Sequence, residues 1–236
     1  MKAALYVVAA VLALSRGAQG ASVAVDVGHS LAKPGAISAR GRAEFEFNLD
    51  LARDIAAALD QAGLGVRLIG ADGKMEHLSD RTRAASGTDF FLAVHHDSTQ
   101  PHFLEDWEYG GESRKFAGER FAGFSLFVSR LDPRLEQSLA CASAIGAELL
   151  KAGFARSLYH ADPVEREFKS FADRANGVHY YDNLVVLKTA FSPAVLFEAG
   201  VILNRDEELR MMDPAVRRAI AGGIADGLRR CLATAR

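Results

Sequence analysis

The sequence predicts a single-domain α/β fold, with a mostly parallel, twisted sheet of six strands and helices on both faces. Short apolar runs rich in β-branched residues alternate with longer segments whose apolar residues recur every three or four positions. The strand candidates are apolar almost throughout, which is typical of strands buried on both faces of a parallel sheet. No Pro-rich or Ser-rich linker and no internal repeat divides the 236 residues of the sequence.

The predicted elements follow one another in a regular order along the chain. Strands are expected at 22–27, 65–69, 89–94, 124–129, 184–187 and 194–197. Helices are expected at 44–62, at about 79–86, at 133–152 and from 214 onward. Two stretches without a regular pattern, 97–122 and 155–182, interrupt the alternation. We expect both insertions near one end of the sheet, where loops commonly carry function.

The ends of the helices carry their own sequence signals. Gly63 follows the first helix as a C-terminal glycine, and Ser79 can cap the second. Asn204 and Glu207 have the spacing of a capping box. Pro214 stands at the first position of the last helix, where its missing N–H does no harm.

The composition excludes several classes of protein. Hydrophobic residues make up 49% of the chain and charged residues 25%, as in ordinary globular proteins and unlike disordered chains, collagens or coiled coils. The net charge of −2 argues against a nucleic-acid partner, because phosphate binding needs concentrated Lys and Arg.

Residues 1–20 are predicted to be a signal peptide. Lys2 precedes an apolar run over 3–14, which is too short to cross a bilayer, since that takes about 20 residues. Small residues at Ala18 and Gly20 then mark a cleavage site. An uncleaved membrane anchor is the alternative interpretation.

We therefore expect residues 21–236 to form an exported domain, periplasmic or extracellular, with no stable membrane anchor after removal of the signal. Cys141 and Cys231 would then face an oxidising compartment, where disulfides persist. Both lie in predicted helices, and whether they meet depends on how those helices pack.

Residues with catalytic chemistry follow three of the predicted strands. His29 follows the first strand, His95 and His96 follow the third, and Glu198 follows the sixth. Ligands of open α/β sheets bind outside the carboxyl ends of the strands. Glu44 opens the first helix, and the loop between His29 and Glu44 is long enough to fold back and bring the two side chains together.

Two imidazoles and one carboxylate suit Zn²⁺, and three protein ligands leave the fourth position for water, as in catalytic sites. The metal would lower the pKa of that water to about 7. A carboxylate that does not bind the metal, here Glu198, can accept the proton and pass it to a leaving nitrogen. Adjacent strand residues point to opposite faces, so we expect only one of His95 and His96 at the site.

Each site residue also has an ordinary structural interpretation. Glu44 can simply be an acidic residue stabilised in the first turn of a helix. Glu198 can pair with an arginine such as Arg205. A histidine at a strand end is most often polar surface.

Four short segments, in a fixed order, carry a family resemblance. They read VDVGHS at 25–30 with Pro-Gly at 34–35, EFEFNL at 44–49, FLAVHHD at 91–97, and PAVLFEAGVILN at 193–204. They resemble the motifs of the zinc-dependent N-acetylmuramoyl-L-alanine amidases, the amidase-3 family of cell-wall hydrolases. The resemblance spans essentially the whole chain after the predicted signal peptide.

Motif matching implies a role for each site residue. His29, Glu44 and His95 fall on the zinc ligands of the family, and Glu198 falls on its catalytic glutamate. The match selects His95 over His96. The chain departs from the family pattern at Ser30, which replaces a glycine, and at Gly70, where the family usually has arginine.

The resemblance implies hydrolysis of the amide between the lactyl group of N-acetylmuramic acid and L-alanine of the stem peptide. Peptidoglycan, as polymer or fragments, would be the substrate, and Zn²⁺ the cofactor. The alternatives are a zinc-dependent peptidase of the cell-wall peptide and a non-catalytic wall-binding module. The peptidase would differ from the amidase in its released products, and the wall-binding module would differ from it in zinc content and turnover.

The two insertions are expected to border the zinc groove. Residues 97–122 leave directly from the strand that carries His95, and residues 155–182 precede the last two predicted strands. They either narrow the groove and restrain the enzyme, or only build its walls. Their aromatic residues either line the groove or anchor the insertions: Phe103, Trp107, Tyr109, Tyr180 and Tyr181.

Overall fold

A central sheet of seven strands organises the structure. The computed structural model describes residues 20–163 and 168–234, so the predicted signal peptide, Gly20 apart, lies outside the described residues. None of the helices in these two ranges is long and apolar enough to cross a membrane.

The strands and helices have the following bounds. The strands are β1 (Ser22–Val27), β2 (Gly65–Ile69), β3 (Phe90–Asp97), β4 (Leu104–Tyr109), β5 (Glu112–Ala117), β6 (Ser125–Val128), β7 (Phe171–Asp173), β8 (Val178–Tyr180) and β9 (Ala194–Val201). The helices are α1 (Glu44–Gln61), α2 (Leu78–Ala84), α3 (Leu135–Lys151), α4 (Val185–Lys188), α5 (Arg205–Met212) and α6 (Pro214–Thr234).

The strand order is β2-β1-β3-β9-β6-β8-β7. The first four strands in this order are mutually parallel, whereas β6 pairs antiparallel with β9 and β7 pairs antiparallel with β8. Strands β4 and β5 form a separate antiparallel hairpin. The predicted class, a mostly parallel α/β sheet with helices on both faces, is confirmed.

The predicted number of six strands is wrong, for two physical reasons. Residues 184–187, expected as a strand, lie in helix α4 or next to it, because a short apolar run fits either conformation. Strands β7 and β8 lie inside the 155–182 insertion and have only 3 residues each, too few for a visible alternation. The 97–122 insertion likewise contains the mostly exposed β4–β5 hairpin.

The two faces of the sheet are covered unequally. Alternate strand residues point to opposite faces, so Val25 and Leu92 pack in the core beneath α1, α3 and α6. Ala24 and Phe91 point the other way, toward the short helices α2 and α4. The thinner second layer leaves room for cavities near the carboxyl ends of the central strands.

The helix-end predictions are confirmed in part. Asn204 caps α5, accepting hydrogen bonds from the backbone N–H groups of Asp206 and Glu207. The carboxylate of Glu207 does not complete the box and instead accepts from the backbone of β9. Helix α2 begins at Leu78, one residue before the proposed cap Ser79, and has no side-chain cap.

A disulfide between Cys141 and Cys231 joins α3 to α6. The two half-cystines are separated by 90 residues in sequence. The helix packing left open by the sequence therefore brings the two cysteines together, and the bond ties the layer under β6 and β9 to the last helix.

Removal of this disulfide should lower the free energy of unfolding. Cys141→Ala is expected to lower the free energy of unfolding by about 2–5 kcal/mol. Without the cross-link, the unfolded chain has a higher conformational entropy, which favours unfolding. Urea unfolding of the variant and of the wild type, each with and without reductant, measures the difference. The reductant should destabilise only the wild type, and a wild type that does not respond to reductant would contradict the expectation.

Candidate metal centre

Two histidines and one glutamate meet at the carboxyl end of the sheet. His29 follows β1, His95 lies near the end of β3, and Glu44 is the first residue of α1. Glu44 Oε2 lies 3.0 Å from His29 Nε2, and Glu44 Oε1 lies 3.0 Å from His95 Nδ1. One donor atom from each side chain lies within 4.8 Å of the other two.

The backbone at His29 adopts an uncommon conformation beside the other two side chains of the cluster. His29 has a φ of 68°, the only positive φ of a non-glycine residue in the ranges that the structure describes. Such a conformation costs free energy and persists where surrounding contacts impose it. The Arg81 guanidinium supplies two of these contacts by donating to the carbonyl oxygens of Val27 and His29.

Two glycines allow the close approach of these side chains. A Cβ atom at Gly28 would lie 2.4 Å from the ring of His95, and one at Gly35 would lie 2.4 Å from Glu44 Oε2. Gly28 and Gly35 both belong to the first motif, so their presence there has a steric reason.

Hydrogen bonds fix the Glu44 carboxylate in place. The Ala36 backbone N–H donates to Oε2 over 3.1 Å, and Asn48 Nδ2 donates to Oε1 over 3.2 Å. Burial alone would raise the pKa of Glu44, but the hydrogen bonds with His29 and His95 outweigh it and hold that pKa well below its usual range. Glu44 is therefore an anion facing two imidazoles.

His96 does not face this cluster. Its Nδ1 lies 2.8 Å from Asn48 Oδ1, its ring packs near Phe47, and it is 1% exposed. Burial lowers the pKa of His96 to about 3, so the ring is neutral. Strand alternation thus sends His95 to the cluster and His96 to the opposite face.

Glu198 lies on β9 beside His95 in the strand register. Its Oε2 atom is buried, without a hydrogen-bond partner among the described residues. Burial, followed by repulsion from Asp97 and Glu44, raises the pKa of Glu198 well above its usual value. Arg205, its alternative partner, instead stacks over the ring of Trp107.

Two cavities flank this end of the sheet. One, of about 540 Å³, is lined by His29 and His95 together with residues of α2 and α4. The other, of about 430 Å³, is lined by Glu198 and by residues that follow β3. His95 and Glu198, side by side on neighbouring strands, lie at the boundary between the two cavities.

The insertions contact the site in different ways. Residues 97–101 line the cavity of Glu198, as does Tyr181. The β4–β5 hairpin packs against the loop that leads to Glu44, where Trp107 Nε1 donates to the Ala39 carbonyl oxygen over 3.1 Å. Whether either insertion restrains access to the site remains a prediction.

The donor set fits zinc. Two imidazole nitrogens and one carboxylate are common zinc ligands, and three of them leave a coordination position open. Partners such as Asn48, which orient the ligands, are typical of metal sites. Asn48 also donates to the Gly28 carbonyl oxygen over 3.2 Å, so one side chain ties α1 to the loop after β1.

Sequence reasoning did not assign roles to Asn48 and Arg81. Asn48 stands one helical turn after Glu44, a spacing that places two side chains on the same face, and this signal was available. Arg81 had no such signal, because it reaches the end of β1 only through the packing of α2 on the sheet.

Comparison with known proteins agrees with this fold and identifies the family of the chain. The protein-family model described as "N-acetylmuramoyl-L-alanine amidase" (Amidase_3) matches residues 23–230. N-acetylmuramoyl-L-alanine amidase AmiA, of Salmonella typhimurium and of Escherichia coli, is 26% identical over 221 residues, which cover 87% of this chain and 74% of the relative.

Solved amidase structures share the fold. Ami1 of Mycobacterium smegmatis superposes with a TM-score of 0.70 at 19% identity, over 91% of this chain and 98% of that one. An N-acetylmuramoyl-L-alanine amidase of Clostridium difficile 630 gives a TM-score of 0.67 at 20% identity, over 89% and 95% of the two chains.

The fold and the site define a single α/β domain with a candidate metal cluster at the strand ends. The chain belongs to the N-acetylmuramoyl-L-alanine amidase family, Amidase_3, and its function is that of a peptidoglycan amidase. Zinc dependence is the norm in this family.

The buried Asp26–Arg81 pair provides a test of how this end of the sheet is held. The two side chains are 2.8 Å apart, and burial, partly offset by Arg81, raises the pKa of Asp26 to about 6. Arg81→Met should lower the free energy of unfolding by about 3–5 kcal/mol, because Asp26 would stay buried without its ion-pair partner.

The control for this prediction is Arg83→Met on the exposed side of the same helix, with an expected change within about 0.5 kcal/mol. Asp26→Asn should recover part of the loss caused by Arg81→Met. Additive effects of the two substitutions, measured by urea unfolding, would show that the pair is not coupled.

Proposed function

We propose that the chain is a zinc-dependent amidase that hydrolyses the bond between N-acetylmuramic acid and L-alanine of the stem peptide. His29, Glu44 and His95 would hold the metal, and Glu198 would move the proton. The observation that carries the proposal is the Glu44 carboxylate, which faces one nitrogen of each histidine at 3.0 Å. The family match over residues 23–230 supports peptidoglycan as the substrate.

Held by His29, Glu44 and His95, zinc would lower the pKa of a water molecule to about 7 and would polarise a carbonyl group. The residues of the chain complete the reaction. Glu198 accepts the proton of the attacking water through a carboxylate oxygen, and donates it to the nitrogen of L-alanine as the C–N bond breaks. The lactyl group is left as a carboxylate and the stem peptide as a free amine.

The surroundings of Glu198 suit the proton-donating half of this role. A carboxyl with a raised pKa is a better proton donor near neutral pH than an ordinary glutamate. Its neighbours Asp97 and Glu44 and its burial push the pKa in that direction. The Oε2 atom, without a partner among the described residues, is available for substrate.

We also propose that residues 1–20 direct export and that residues 21–236 form the catalytic domain in the periplasm or outside the cell. The apolar run after Lys2 supports the first part. The family match, which begins at residue 23, supports the domain boundary, since it leaves the first residues outside the domain.

The metal assignment predicts one zinc per chain in the protein lacking residues 1–20. His29→Ala, Glu44→Ala and His95→Ala should each lose most of that zinc, because a tetrahedral site then keeps only two protein ligands. Elemental analysis after dialysis measures the content, and circular dichroism checks the fold.

The matched control is His96→Gln, which keeps a hydrogen-bonding side chain beside Asn48 and should keep zinc. If His95→Ala retained zinc and His96→Gln lost it, His96 would be the metal ligand and the assignment of His95 would be wrong.

The role of Glu198 predicts that Glu198→Gln keeps the fold and the metal but loses about 10²- to 10⁴-fold in turnover, the typical contribution of general acid–base catalysis. The assay digests purified peptidoglycan and identifies the products by mass. The wild type should release stem peptides with a free L-alanine amino terminus.

Glu136→Gln, an exposed carboxylate on α3, serves as the control and should behave like the wild type. Normal turnover by Glu198→Gln would contradict its role. Products cut inside the peptide, with the lactyl amide intact, would favour the cell-wall peptidase.

A further inference from the structure

The loop that ends in Glu44, residues 36–44, folds back on itself, and we call it the Glu44 loop. The Glu44 backbone N–H donates to the Ala36 carbonyl oxygen over 2.8 Å, and Ile37 pairs with Ala43 as an antiparallel bridge. The Ala36 N–H in turn donates to Glu44 Oε2 over 3.1 Å. Because hydrogen bonds join Glu44 to the other end of the loop, a displacement of the loop would also displace the carboxylate that faces the two histidines.

The tip of the Glu44 loop is fixed to a distant part of the chain, the end of β9 and helix α5. The Ala39 N–H donates to the Ile202 carbonyl oxygen over 3.0 Å. The Arg40 N–H donates to Glu208 Oε1 over 3.0 Å, and Arg40 Nη1 lies 2.6 Å from Glu208 Oε2. Arg40 Nη1 also donates to the Arg205 carbonyl oxygen over 2.7 Å. Arg40 therefore connects the loop to α5 through both its backbone and its guanidinium.

The ion pair between Arg40 and Glu208 is shielded from solvent. The Glu208 side chain is 0% exposed and that of Arg40 is 20% exposed. The β4–β5 hairpin adds two aromatic rings, and the Cζ atom of Arg40 lies 5.5 Å from the ring centre of Trp107 and 5.5 Å from that of Tyr109. Charges that are shielded in this way interact more strongly than exposed ones, and removal of one partner leaves the other buried and unpaired.

The position of Arg40 in the sequence connects this ion pair to the metal cluster. Only residues 41–43 separate Arg40 from Glu44, so the fixed tip and the carboxylate belong to one short segment. Helix α5 has a second ion pair, in which Arg210 Nη1 lies 3.1 Å from Glu207 Oε1. That second pair joins two residues of α5, whereas the first joins α5 to the Glu44 loop.

We propose that Arg40 and Glu208 are positioning residues for the metal cluster. Their ion pair holds the Glu44 loop against α5, and the loop holds the Glu44 carboxylate where it faces His29 and His95. The proposal rests on the role of Glu44 as a metal ligand given above. Residues that orient a ligand without touching the metal commonly affect metal affinity. The ion pair therefore sets how tightly the cluster binds zinc.

The test measures the dissociation constant of zinc by competition with a chelating indicator, in the protein lacking residues 1–20. Arg40→Met should raise this constant by about 10- to 100-fold, the usual effect of losing a residue that supports a ligand. Arg40→Lys, which keeps a positive charge and the backbone N–H, should recover most of the affinity.

The matched control is Arg210→Met, which removes the other ion pair of α5 and leaves the Glu44 loop untouched. It should change the dissociation constant by less than about threefold. Equal weakening in Arg40→Met and Arg210→Met would overturn the proposal, because the effect would then come from α5 as a whole. An unchanged constant in Arg40→Met would overturn it as well.

Thermal unfolding identifies a variant that fails to fold. If Arg40→Met does so, Glu208→Gln carries the comparison, because it removes the negative charge and keeps an oxygen that can accept from the Arg40 N–H. Glu208→Gln should also weaken zinc binding relative to Arg210→Met. Wild-type affinity in Glu208→Gln would contradict the proposal.

Hydrogen exchange in the metal-free protein separates this proposal from the proposed function. The Glu44 amide, which bonds to Ala36, should exchange faster in Arg40→Met than in the wild type or in Arg210→Met, because local opening of the loop exposes it. A wild type that binds no zinc would refute the proposed function. Faster exchange in Arg40→Met would then still support the positioning of Glu44 by the ion pair, and unchanged exchange would overturn it.

Discussion

The Glu44 carboxylate is the contact on which the rest of the site depends. Its two oxygens face two imidazoles that arrive from different strands, and each oxygen also accepts a hydrogen bond from the chain. The imidazoles are neighbours because β1 and β3 pair in parallel, with the Gly28 N–H donating to the Val94 carbonyl oxygen over 3.0 Å. Because α1 begins at Glu44, the carboxylate of its first residue lies between the two imidazoles.

The unequal covering of the sheet gives this contact its surroundings. Long helices bury one face, where His96 and Asn48 form a neutral, hydrogen-bonded support. Short helices cover the other face and leave cavities on both sides of His95 and Glu198. One face therefore supplies rigidity, and the other supplies access for a substrate larger than a single cavity.

Much of the fold was predictable because its central elements carry strong patterns. Strands β1, β3 and β9 are continuous apolar runs, and α1 has a clear apolar face. The insertions were not predictable, because β7 and β8 are too short for periodicity and the β4–β5 hairpin is mostly exposed. The run at 184–187 became helical because four apolar residues do not distinguish a strand from a helix.

The candidate site divides in the same way. Position at strand ends and residue type predicted that His29, Glu44 and one of the two histidines at 95 and 96 would lie together, and the family resemblance selected His95. Arg81 could not be predicted, since it reaches the end of β1 only through the packing of α2 on the sheet.

Diffraction at the zinc absorption edge, on crystals of the protein with zinc added, would locate the metal itself. We expect one anomalous peak per chain, bound by His29, Glu44 and His95 and next to Glu198. A peak bound by His96, or the absence of a peak between the two imidazoles in a fully zinc-loaded protein, would contradict it.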